Sequence, residues 1–507
     1  MKQALDNFTG RVTMYRLVTL ALSIVAAAAV GFSLFQLATD PPANPPLPFT
    51  PAELLANLAV ALGATILSSR MFALLLRIRP HIESSIITGL ILFFLFWPSL
   101  DPRDLTTLAL AGVLATASKY FIAWRGRHIL NPAAAGATLV AVLQLGGSVW
   151  WVATGALLPF VLIGAFLILY RTGRLAMGAV FALVALAILT VRLTSGGQDV
   201  GDAFITSVTS YPVLFFAGFM LSEPLTMAPR RWQQLAIAAL VGALFTVPFT
   251  FGPIYLSFEF ALVIGNGIAF VAGQRRGIRL TYLGSRQVTP TAWEFRFSPK
   301  RPLRFRPGQW LEFTLPHTAQ DSRGTRRIFS IASAPGNDVA VALRMPERTS
   351  SFKRSLLELE PGAALRATSV GGDFLLPRDT SAPVLLIAGG IGITPFLSQL
   401  VHDRASGIDR DVVLVYEVTS LDELAFVEEL ALERVLLIAP VAPPHLPDAW
   451  RWIGAGPVTP ELLEQQVADV RQRRAFVSGS PLRVNRARAA LRRVGVRRIA
   501  VDAFSGY

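Results

Sequence analysis

The stretch LLIAGGIGITPFLSQL, residues 385–400, runs from an apolar strand-like segment through a glycine-rich turn into the start of a helix. Glycines here let backbone amides approach a pyrophosphate, a threonine hydroxyl adds a donor, and proline suits a first helical turn. The turn residues predicted to bind a nucleotide are Gly389, Gly390, Gly392, Thr394 and Pro395. A tight turn without a ligand has the same pattern, so the turn does not decide the function by itself.

Strand patterns and helix patterns alternate after this turn. The strand-like segments VVLVYEV, RVLLIAP and RAFVSGS are separated by the helical patterns SLDELAFVEELAL and PLRVNRARAALRRVGV. Such alternation predicts a parallel sheet whose ligand sites lie at the carboxyl ends of the strands. We therefore predict an α/β domain over residues 379–507.

The segment before the turn has a different period. VTPTAWEFRFSP and FRPGQWLEFTLP alternate apolar and polar residues, as strands with one buried face do. Stretches rich in β-forming residues continue to about residue 376. We predict an all-β domain over residues 279–378.

The first half of the chain is too apolar for a soluble domain. The 507 residues are 52% hydrophobic and 16% charged, and the mean hydropathy is +0.50. Ten apolar runs are long enough to cross a hydrocarbon core of about 30 Å. We predict a polytopic α-helical membrane domain over residues 1–278, with about ten spans near 14–38, 52–76, 82–97, 104–124, 131–145, 149–170, 175–191, 204–221, 233–250 and 255–273.

Basic residues alternate between the loops of this domain. Arginines follow every even-numbered span, whereas the opposite loops hold only Arg103 and Arg192. By the positive-inside rule both chain termini face the cytoplasm, and the predicted localisation is a bacterial inner membrane with lipid as a partner. Basic loops also account for the formal net charge of +14, so no nucleic-acid partner is predicted.

A second motif, RRIFSIAS at residues 326–333, resembles the Arg-x-Tyr/Phe-Ser/Thr motif of the ferredoxin–NADP reductase superfamily. The resemblance covers residues 280–507. It implies an antiparallel β-barrel that binds FAD, followed by an α/β domain that binds NADH or NADPH.

Each position of that motif has an implied role. Arg327 would hold the FAD pyrophosphate, Phe329 would face the isoalloxazine ring, and Ser330 would lie near flavin N5, with Ile328 between them in the same cofactor-binding strand. Without the resemblance, the motif is a plain strand with one exposed arginine.

Further segments match the same superfamily. RTSSFKRSLLELEPG, residues 348–362, is similar to its second FAD-phosphate segment, in which spacing does not separate Ser350 from Ser351. FVSGSP, residues 476–481, places Ser478 and Gly479 where the family commonly has Cys-Gly beside the nicotinamide.

The chain ends in VDAFSGY, and the family often ends with an acidic residue and an aromatic residue at the flavin. Asp502 with Phe504, or with the terminal Tyr507, would be these residues. The resemblance thus implies a catalytic group made of Ser330, Ser478, Asp502 and Phe504.

The choice between NADH and NADPH depends on the segment after the second α/β strand. Some relatives place an arginine there for the 2′-phosphate, whereas this chain has Glu417 and Thr419. A carboxylate pairs with a ribose hydroxyl and repels a phosphate. The sequence therefore favours NADH, but other arginines could reach the site and NADPH stays open.

Two stretches of the first half resemble a known family of membrane proteins. They are ILNPAAAGAT, residues 129–138, and FFAGFMLSEPLTM, residues 215–227. The family has ten spans and occurs in the Rnf electron-transport complex and in the sodium-pumping NADH:quinone reductase. The family implies redox flavins in or near the membrane, here a non-covalent FMN or riboflavin near Asn131 and Thr226. The motif for covalent FMN is missing from residues 192–202. Asn131 and Thr226 suit helix capping equally well, so both roles stay open.

The residue inventory excludes other redox groups. The chain has no cysteine, which excludes cysteine-ligated iron–sulfur clusters and thiolate-bound haem. The membrane half has only His81 and His128, both near helix ends, so no bis-histidine haem and no other metal site is predicted.

These features together predict a membrane-bound, FAD-dependent NAD(P)H oxidoreductase. Electrons would pass from cytoplasmic NAD(P)H through FAD into the membrane domain, and on to a quinone or an extracytosolic flavoprotein. Two alternatives stay open: an ion-translocating transporter driven by the redox reaction, and a membrane-anchored redox sensor.

Overall fold

The computed structural model describes residues 14–39, 47–77, 80–124, 127–252, 254–274, 277–317, 325–346 and 349–504. The chain divides into two compact units between Arg275 and Arg276. The predicted Tyr507 and the arginines that border this division lie outside the described residues.

The first unit is built from helices. They are α1 Met14–Ala38, α2 Pro51–Leu75, α3 Ile82–Leu95, α4 Pro102–Phe121, α5 Pro132–Val142, α6 Leu158–Arg171, α7 Leu175–Ser195, α8 Val200–Thr209, α9 Val213–Phe215, α10 Arg231–Phe245 and α11 Phe258–Ala269. Wider π-helical turns extend α9 over Phe216–Leu221 and α11 over Phe270–Gln274. Two short hairpins pair β1 Ala123–Trp124 with β2 Arg127–His128 and β3 Phe249–Phe251 with β4 Ile254–Leu256.

Three of these helices, α1, α2 and α7, are long and apolar enough to cross a membrane. Helix α8 and the segment Val213–Leu221 make a fourth candidate if the pair, bent by 47°, is one span. The bend falls beside Pro212, whose ring nitrogen has no hydrogen to donate to the preceding turn. The other predicted spans coincide with helices that are shorter or, for α4, more polar, so the number ten stays a prediction.

Small residues let helices of this unit approach closely. A Cβ on Gly136 of α5 would lie 2.4 Å from the carbonyl oxygen of Ala111 and 2.7 Å from the Cβ of Ala115, both in α4. Close backbone contact of this kind stabilises helix pairs in lipid, where burial from water supplies little driving force.

The second unit begins with an antiparallel barrel. Its strands are β5 Ile278–Thr289, β6 Ala292–Pro299, β7 Trp310–Thr314, β8 Arg326–Ser330, β9 Val339–Arg344 and β10 Ala364–Gly371, in the order β8-β7-β10-β5-β6-β9. An antiparallel bridge between Ile331 and Val341 joins the two outer strands and closes the sheet. Phe295 and Phe297 point into the core while Arg296 between them is exposed, which is the alternation that the sequence shows. The predicted all-β barrel is confirmed.

A parallel sheet follows. Its strands are β11 Val384–Gly389, β12 Val412–Glu417, β13 Val435–Ile438, β14 Trp450–Trp452, β15 Arg474–Gly479 and β16 Ile499–Ala503, in the order β14-β13-β12-β11-β15-β16. The order reverses between β11 and β15, and ligands of such sheets bind at the carboxyl ends beside this reversal. The helices of this sheet are α13 Thr394–Ala405, α14 Pro460–Gln466 and α15 Pro481–Val494, so the predicted parallel α/β sheet is confirmed.

One helix prediction is wrong. SLDELAFVEELAL forms a single 3₁₀ turn, Leu421–Glu423, followed by irregular chain. The buried hydroxyl of Tyr416 accepts from the amide of Ala425 at 3.1 Å and donates to the carbonyl of Glu423 at 3.4 Å. Phe426 then has a φ of +62°, which ends any right-handed helix. The Tyr416 hydroxyl therefore occupies two backbone groups that a helix in this segment would use.

Candidate functional site

The glycine turn lies where the parallel sheet reverses its order. Strand β11 is fully buried and ends at Gly389, and the 3₁₀ turn Gly390–Ile393 leads into α13. Gly390 has a φ of +53°, a conformation that costs little only for glycine. A Cβ on Gly392 would lie 2.5 Å from the carbonyl oxygen of Ser478, so this glycine lets the turn pack against β15.

Two predicted residues of the turn face inward. Thr394 is 1% exposed, and its hydroxyl donates to the carbonyl of Ile391 at 3.2 Å. Pro395 is buried in the first turn of α13. Both residues therefore stabilise the turn, and Gly389 and Gly390 are the members that line a cavity.

That cavity has a volume of about 290 Å³, which approaches the range of small-molecule sites. It is lined by residues of both parts of the second unit: Thr289, Thr291, Ala292, Arg344, Gly389, Gly390, Ile391, Thr419, Glu423, Ser480, Arg483 and Phe504. The glycine turn thus forms one wall of a cleft between the barrel and the parallel sheet.

Two arginines of this cleft were not predicted. Arg483, in the first turn of α15, contacts Glu423 at 3.2 Å and Glu417 at 3.6 Å. Arg344, at the end of β9, contacts Glu423 at 3.1 Å. The start of α15 directly after Gly479 was the available signal for Arg483, since side chains there face the carboxyl ends of the strands.

The two carboxyl groups beside Arg483 differ in their pKa. Burial raises the pKa of Glu417, although Arg483 opposes this. For Glu423, burial acts in the same sense, but hydrogen bonds from Thr419 and Arg483 outweigh it and lower the pKa. Glu423 is therefore ionised at neutral pH.

Three of the four residues predicted to be catalytic meet at the ends of β15 and β16. The hydroxyl of Ser330 donates to Oδ2 of Asp502 at 3.4 Å, which joins the barrel motif to the last strand. Asp502 lies opposite Ser478 in the register of the two strands. The Ser478 hydroxyl is buried, does not line the cavity and has no hydrogen-bond partner among the described residues, and such a group calls for an explanation.

Asp502 has an unusual acidity. Burial raises its pKa to about 6, and the hydrogen bond from Ser330 acts in the opposite direction. A carboxyl group of this kind exchanges a proton near neutral pH.

The backbone around Gly479 positions the fourth predicted residue. Gly479 has a φ of +148°, and its carbonyl accepts from the amide of Phe504 at 2.8 Å. The ring of Phe504 then lines the cavity. Tyr507, the alternative aromatic residue, lies outside the described residues.

The remaining motif residues surround the start of the short helix α12, Ser351–Leu357. Arg327 is buried, and its guanidinium lies 5.3 Å from the ring centre of Phe352. Phe329 packs 5.9 Å from the same ring. Ile328, which points to the opposite face of the strand, is 44% exposed.

The structure separates the two serines that spacing could not. The Ser350 hydroxyl caps α12 by accepting from the amide of Lys353 at 3.4 Å. The Ser351 hydroxyl lies 2.9 Å from Nε2 of His317, whose Nδ1 lies 2.8 Å from the carbonyl of Leu315. His317 is thus a residue of this cluster that the sequence did not single out.

Asn131 and Thr226 of the helical unit make contacts within the protein. The Asn131 side chain caps α5 by accepting from the amide of Ala134 at 3.1 Å and donates to Glu223 at 2.9 Å. Thr226 is fully buried, with its hydroxyl 3.4 Å from the carbonyl of Glu223. The cavity that Thr226 lines is about 10 Å³, which holds about one water molecule. These residues, as placed, do not fit a flavin.

Comparison with known proteins supports the second motif. No family model matches the chain. It is 30% identical over 151 residues to "Ferredoxin--NADP reductase B" of Sorangium cellulosum, which covers 29% of this chain and 59% of that protein. It is 28% identical over 148 residues to "Probable flavin reductase" of Vibrio harveyi, which covers 28% of this chain and 60% of that protein. The chain thus spans about three fifths of these two curated relatives.

A solved structure of a ferredoxin NADP+ reductase from Neisseria gonorrhoeae, with bound FAD and NADP, aligns with 45% of this chain and 98% of its own. The TM-score is 0.38 and the identity 19%. The resemblance of the membrane half to the Rnf and sodium-pumping reductase proteins stays a prediction. Over about 150 residues, or 28–29% of its length, the chain is similar in sequence to a ferredoxin–NADP reductase and a flavin reductase, which agrees with the resemblance that the motif RRIFSIAS carries.

Proposed function

We propose that this chain is a membrane-bound, FAD-dependent NAD(P)H oxidoreductase. The observation that carries the proposal is the contact between Ser330 of the barrel motif and Asp502 of the last strand, beside the unpartnered hydroxyl of Ser478. The two segments that the sequence assigns to flavin and nicotinamide thereby meet at one point. The sequence similarity to ferredoxin and flavin reductases supports the same function.

The motif residues of the barrel would hold FAD. Arg327, which is buried beside the start of α12, supplies the positive charge for the FAD pyrophosphate. Phe329 supplies an aromatic face, and Ser330 a hydroxyl, at the other end of the same strand. FAD, when bound, would accept a hydride from NAD(P)H and release electrons one at a time.

The protein groups around the reacting atoms bind, orient and hold a proton. We assign the nicotinamide amide to the Ser478 hydroxyl, which has no partner among the described residues, and Phe504 lines the neighbouring cleft. Asp502 holds a proton at its carboxyl group below about pH 6 and shares a hydrogen bond with Ser330. Gly389 and Gly390 line the cleft, and the Arg483 side chain lies over both glycines, where it would meet the nucleotide phosphates.

NADH remains the favoured nucleotide. Glu417 is buried and paired with Arg483, so the end of β12 presents a carboxylate at the place where a 2′-phosphate would need a cation. Arg483 is itself held by two carboxylates. The 2′-phosphate of NADPH would have to displace these carboxylates to bind Arg483.

The membrane half completes the proposal. Three apolar helices, with a fourth as a bent pair, are consistent with an integral membrane protein. The distribution of arginines favours ten spans with both termini in the cytoplasm of a bacterial cell. In this arrangement NAD(P)H is oxidised at the inner face, and the electrons go to a quinone or to an extracytosolic flavoprotein.

The proposal is tested by the cofactor content and activity of the full-length protein in detergent. We expect FAD in the purified wild type and oxidation of NADH with an artificial acceptor. The variant Arg327→Ala should lose most of its FAD and its NADH oxidation, because the buried guanidinium supplies the charge for the pyrophosphate.

Arg296→Ala is the matched control, since Arg296 is an exposed arginine of the same barrel, paired with Glu294. The control should keep both FAD and activity. A wild type that is colourless and inert toward NADH and NADPH would refute the proposed function.

A further inference from the structure

The carboxylate of Glu423 lies directly over the glycine turn. Its Oε2 is 3.5 Å from the position that a Cβ on Gly390 would take. Oε1 lies 3.1 Å from Nη1 of Arg344, and Oε2 lies 3.2 Å from Nη2 of Arg483. Oε2 also accepts a hydrogen bond from the backbone amide of Thr419 at 3.1 Å. One side-chain anion therefore receives two guanidinium groups and one backbone amide.

This set of donors is the kind that binds a phosphate group. Guanidinium groups and backbone amides around a glycine turn are the usual partners of nucleotide phosphates. The position also matches, because Nη1 of Arg483 and Oε2 of Glu423 lie 2.9 and 3.5 Å from the place of the missing Cβ of Gly390. Glu423 thus occupies the place and uses the ligands that a phosphate would need.

The charges of the cleft lining also favour a phosphate ligand. Its lining contains Arg344, Arg483 and Glu423 as its charged residues. With Glu423 bound to both arginines the lining carries one net positive charge, whereas displacement of Glu423 leaves two, although Arg483 stays 3.6 Å from Glu417 behind the lining. An ionised Glu423 that stayed in place would repel a pyrophosphate at short range.

We propose that Glu423 competes with the nucleotide pyrophosphate for Arg344 and Arg483 and thereby sets the affinity of the site. This inference rests on the proposed function, because it takes NAD(P)H as the occupant of the cleft. Glu423 must leave both arginines before the phosphates can bind them. Removal of its charge therefore strengthens nucleotide binding, whereas removal of a nucleotide ligand would weaken it.

The test is Glu423→Gln in the full-length, FAD-loaded protein in detergent. The amide keeps the size of the side chain and removes its charge. We expect the dissociation constant for ADP-ribose, measured by calorimetry, to fall by at least about threefold, since the ion pair with the half-exposed Arg344 contributes only modestly. The KM for NADH should fall in parallel.

Glu433→Gln is the matched control. Glu433 is also a partly buried carboxylate paired with an arginine, Arg404 at 3.7 Å, but it does not line the cleft. Its substitution should leave the ADP-ribose affinity unchanged. Thermal unfolding of both variants reports whether either substitution alters the fold.

Two results would overturn the inference. An unchanged or weaker ADP-ribose affinity in a folded Glu423→Gln protein shows that Glu423 is a neutral bystander or a nucleotide ligand. Wild-type oxidation of NADH measured in the same preparation separates this failure from that of the proposed function. If the wild type neither binds ADP-ribose nor oxidises NADH, the proposed function fails and the inference fails with it.

Discussion

Asp502 carries a carboxyl group that holds its proton more strongly in the folded protein than in the unfolded chain. Burial raises its pKa to about 6, above the usual value of 3.8. Between these two values the folded state binds more protons than the unfolded state, so the stability that this group contributes falls as the pH rises. The stabilising contribution is complete below the unfolded value and is lost above about pH 6.

Asp502→Asn should remove this dependence. The amide cannot ionise, so the variant should gain stability relative to the wild type as the pH is raised from about 4 to 7. Thermal unfolding of the carboxyl-terminal unit at several pH values measures the difference. Asp448→Asn, at an exposed site, is the control; melting curves of Asp502→Asn and wild type that stay parallel over this range would contradict the pKa assignment.

For single residues, the sequence predicted which residues belong to the site better than it predicted which residues contact one another. Ser330, Ser478 and Asp502 follow from local motifs, and the structure brings them together. Arg344, Glu423 and Arg483 were missed because their contacts join segments about 60 to 80 residues apart. Ser350 and Ser351 have the same local pattern, and only the contact with His317 distinguishes them.

Among the elements, the tight contact between the glycine turn and β15 makes Gly392 a sensitive position. A Cβ there would lie within 2.5–2.7 Å of the backbone of Ser478 and Gly479. Gly392→Ala should destabilise the carboxyl-terminal unit by about 1–3 kcal/mol, the usual cost of overpacking. It should also weaken nucleotide binding, because the turn must move.

Gly336→Ala is the comparison for this substitution, since the nearest atom to its Cβ lies 4.0 Å away. Chemical unfolding and ADP-ribose titration of the two variants give the two readouts. A Gly392→Ala protein as stable as Gly336→Ala would mean that the turn and β15 are further apart than described.

Strands that are continuous apolar runs, and a helix with a clear helical pattern, were predicted correctly. The strands β11, β12, β13 and β15 are buried runs with turn signals on both sides, and α15 carries a clear helical pattern. The segment after Thr419 also has a helical pattern, but the Tyr416 hydroxyl takes its backbone groups. Periodicity shows which side chains are buried, but it does not show that a side chain outside the segment will bond to the backbone groups of the segment.

For the whole molecule, the membrane topology can be read by single-cysteine labelling, because the natural chain has no cysteine. Gln198, an exposed residue in the loop between α7 and α8, is predicted to face away from the cytoplasm. Gln198→Cys should therefore react in intact bacterial cells with a maleimide that does not cross the membrane.

Asp409→Cys, in an exposed loop of the carboxyl-terminal unit, is the opposite control and should react only after cell lysis. Labelling of Asp409→Cys in intact cells, or protection of Gln198→Cys there, would contradict the predicted orientation.

Hydropathy shows which segments of the chain are apolar, but it does not show how many of them cross a membrane. Each apolar run contains helix, but hydropathy does not show where a helix begins or breaks; the run 149–170, for example, becomes helical only at Leu158. Pro212 divides one run into two segments bent by 47°, and α5 is only 11 residues long. A short helix buried among others and a true crossing have similar composition.

The bridge between Ile331 and Val341 has a consequence for neighbouring molecules in a crowded bilayer. Because it joins the end of β8 to β9, it shortens the open edge of the described barrel, where free amides and carbonyls could pair with another chain. Proteins held at one membrane surface meet one another often and in similar orientations, which favours edge-to-edge aggregation. The bridge therefore leaves less of the barrel edge open to such association, and the outer strands β14 and β16 of the parallel sheet are further open edges of this unit.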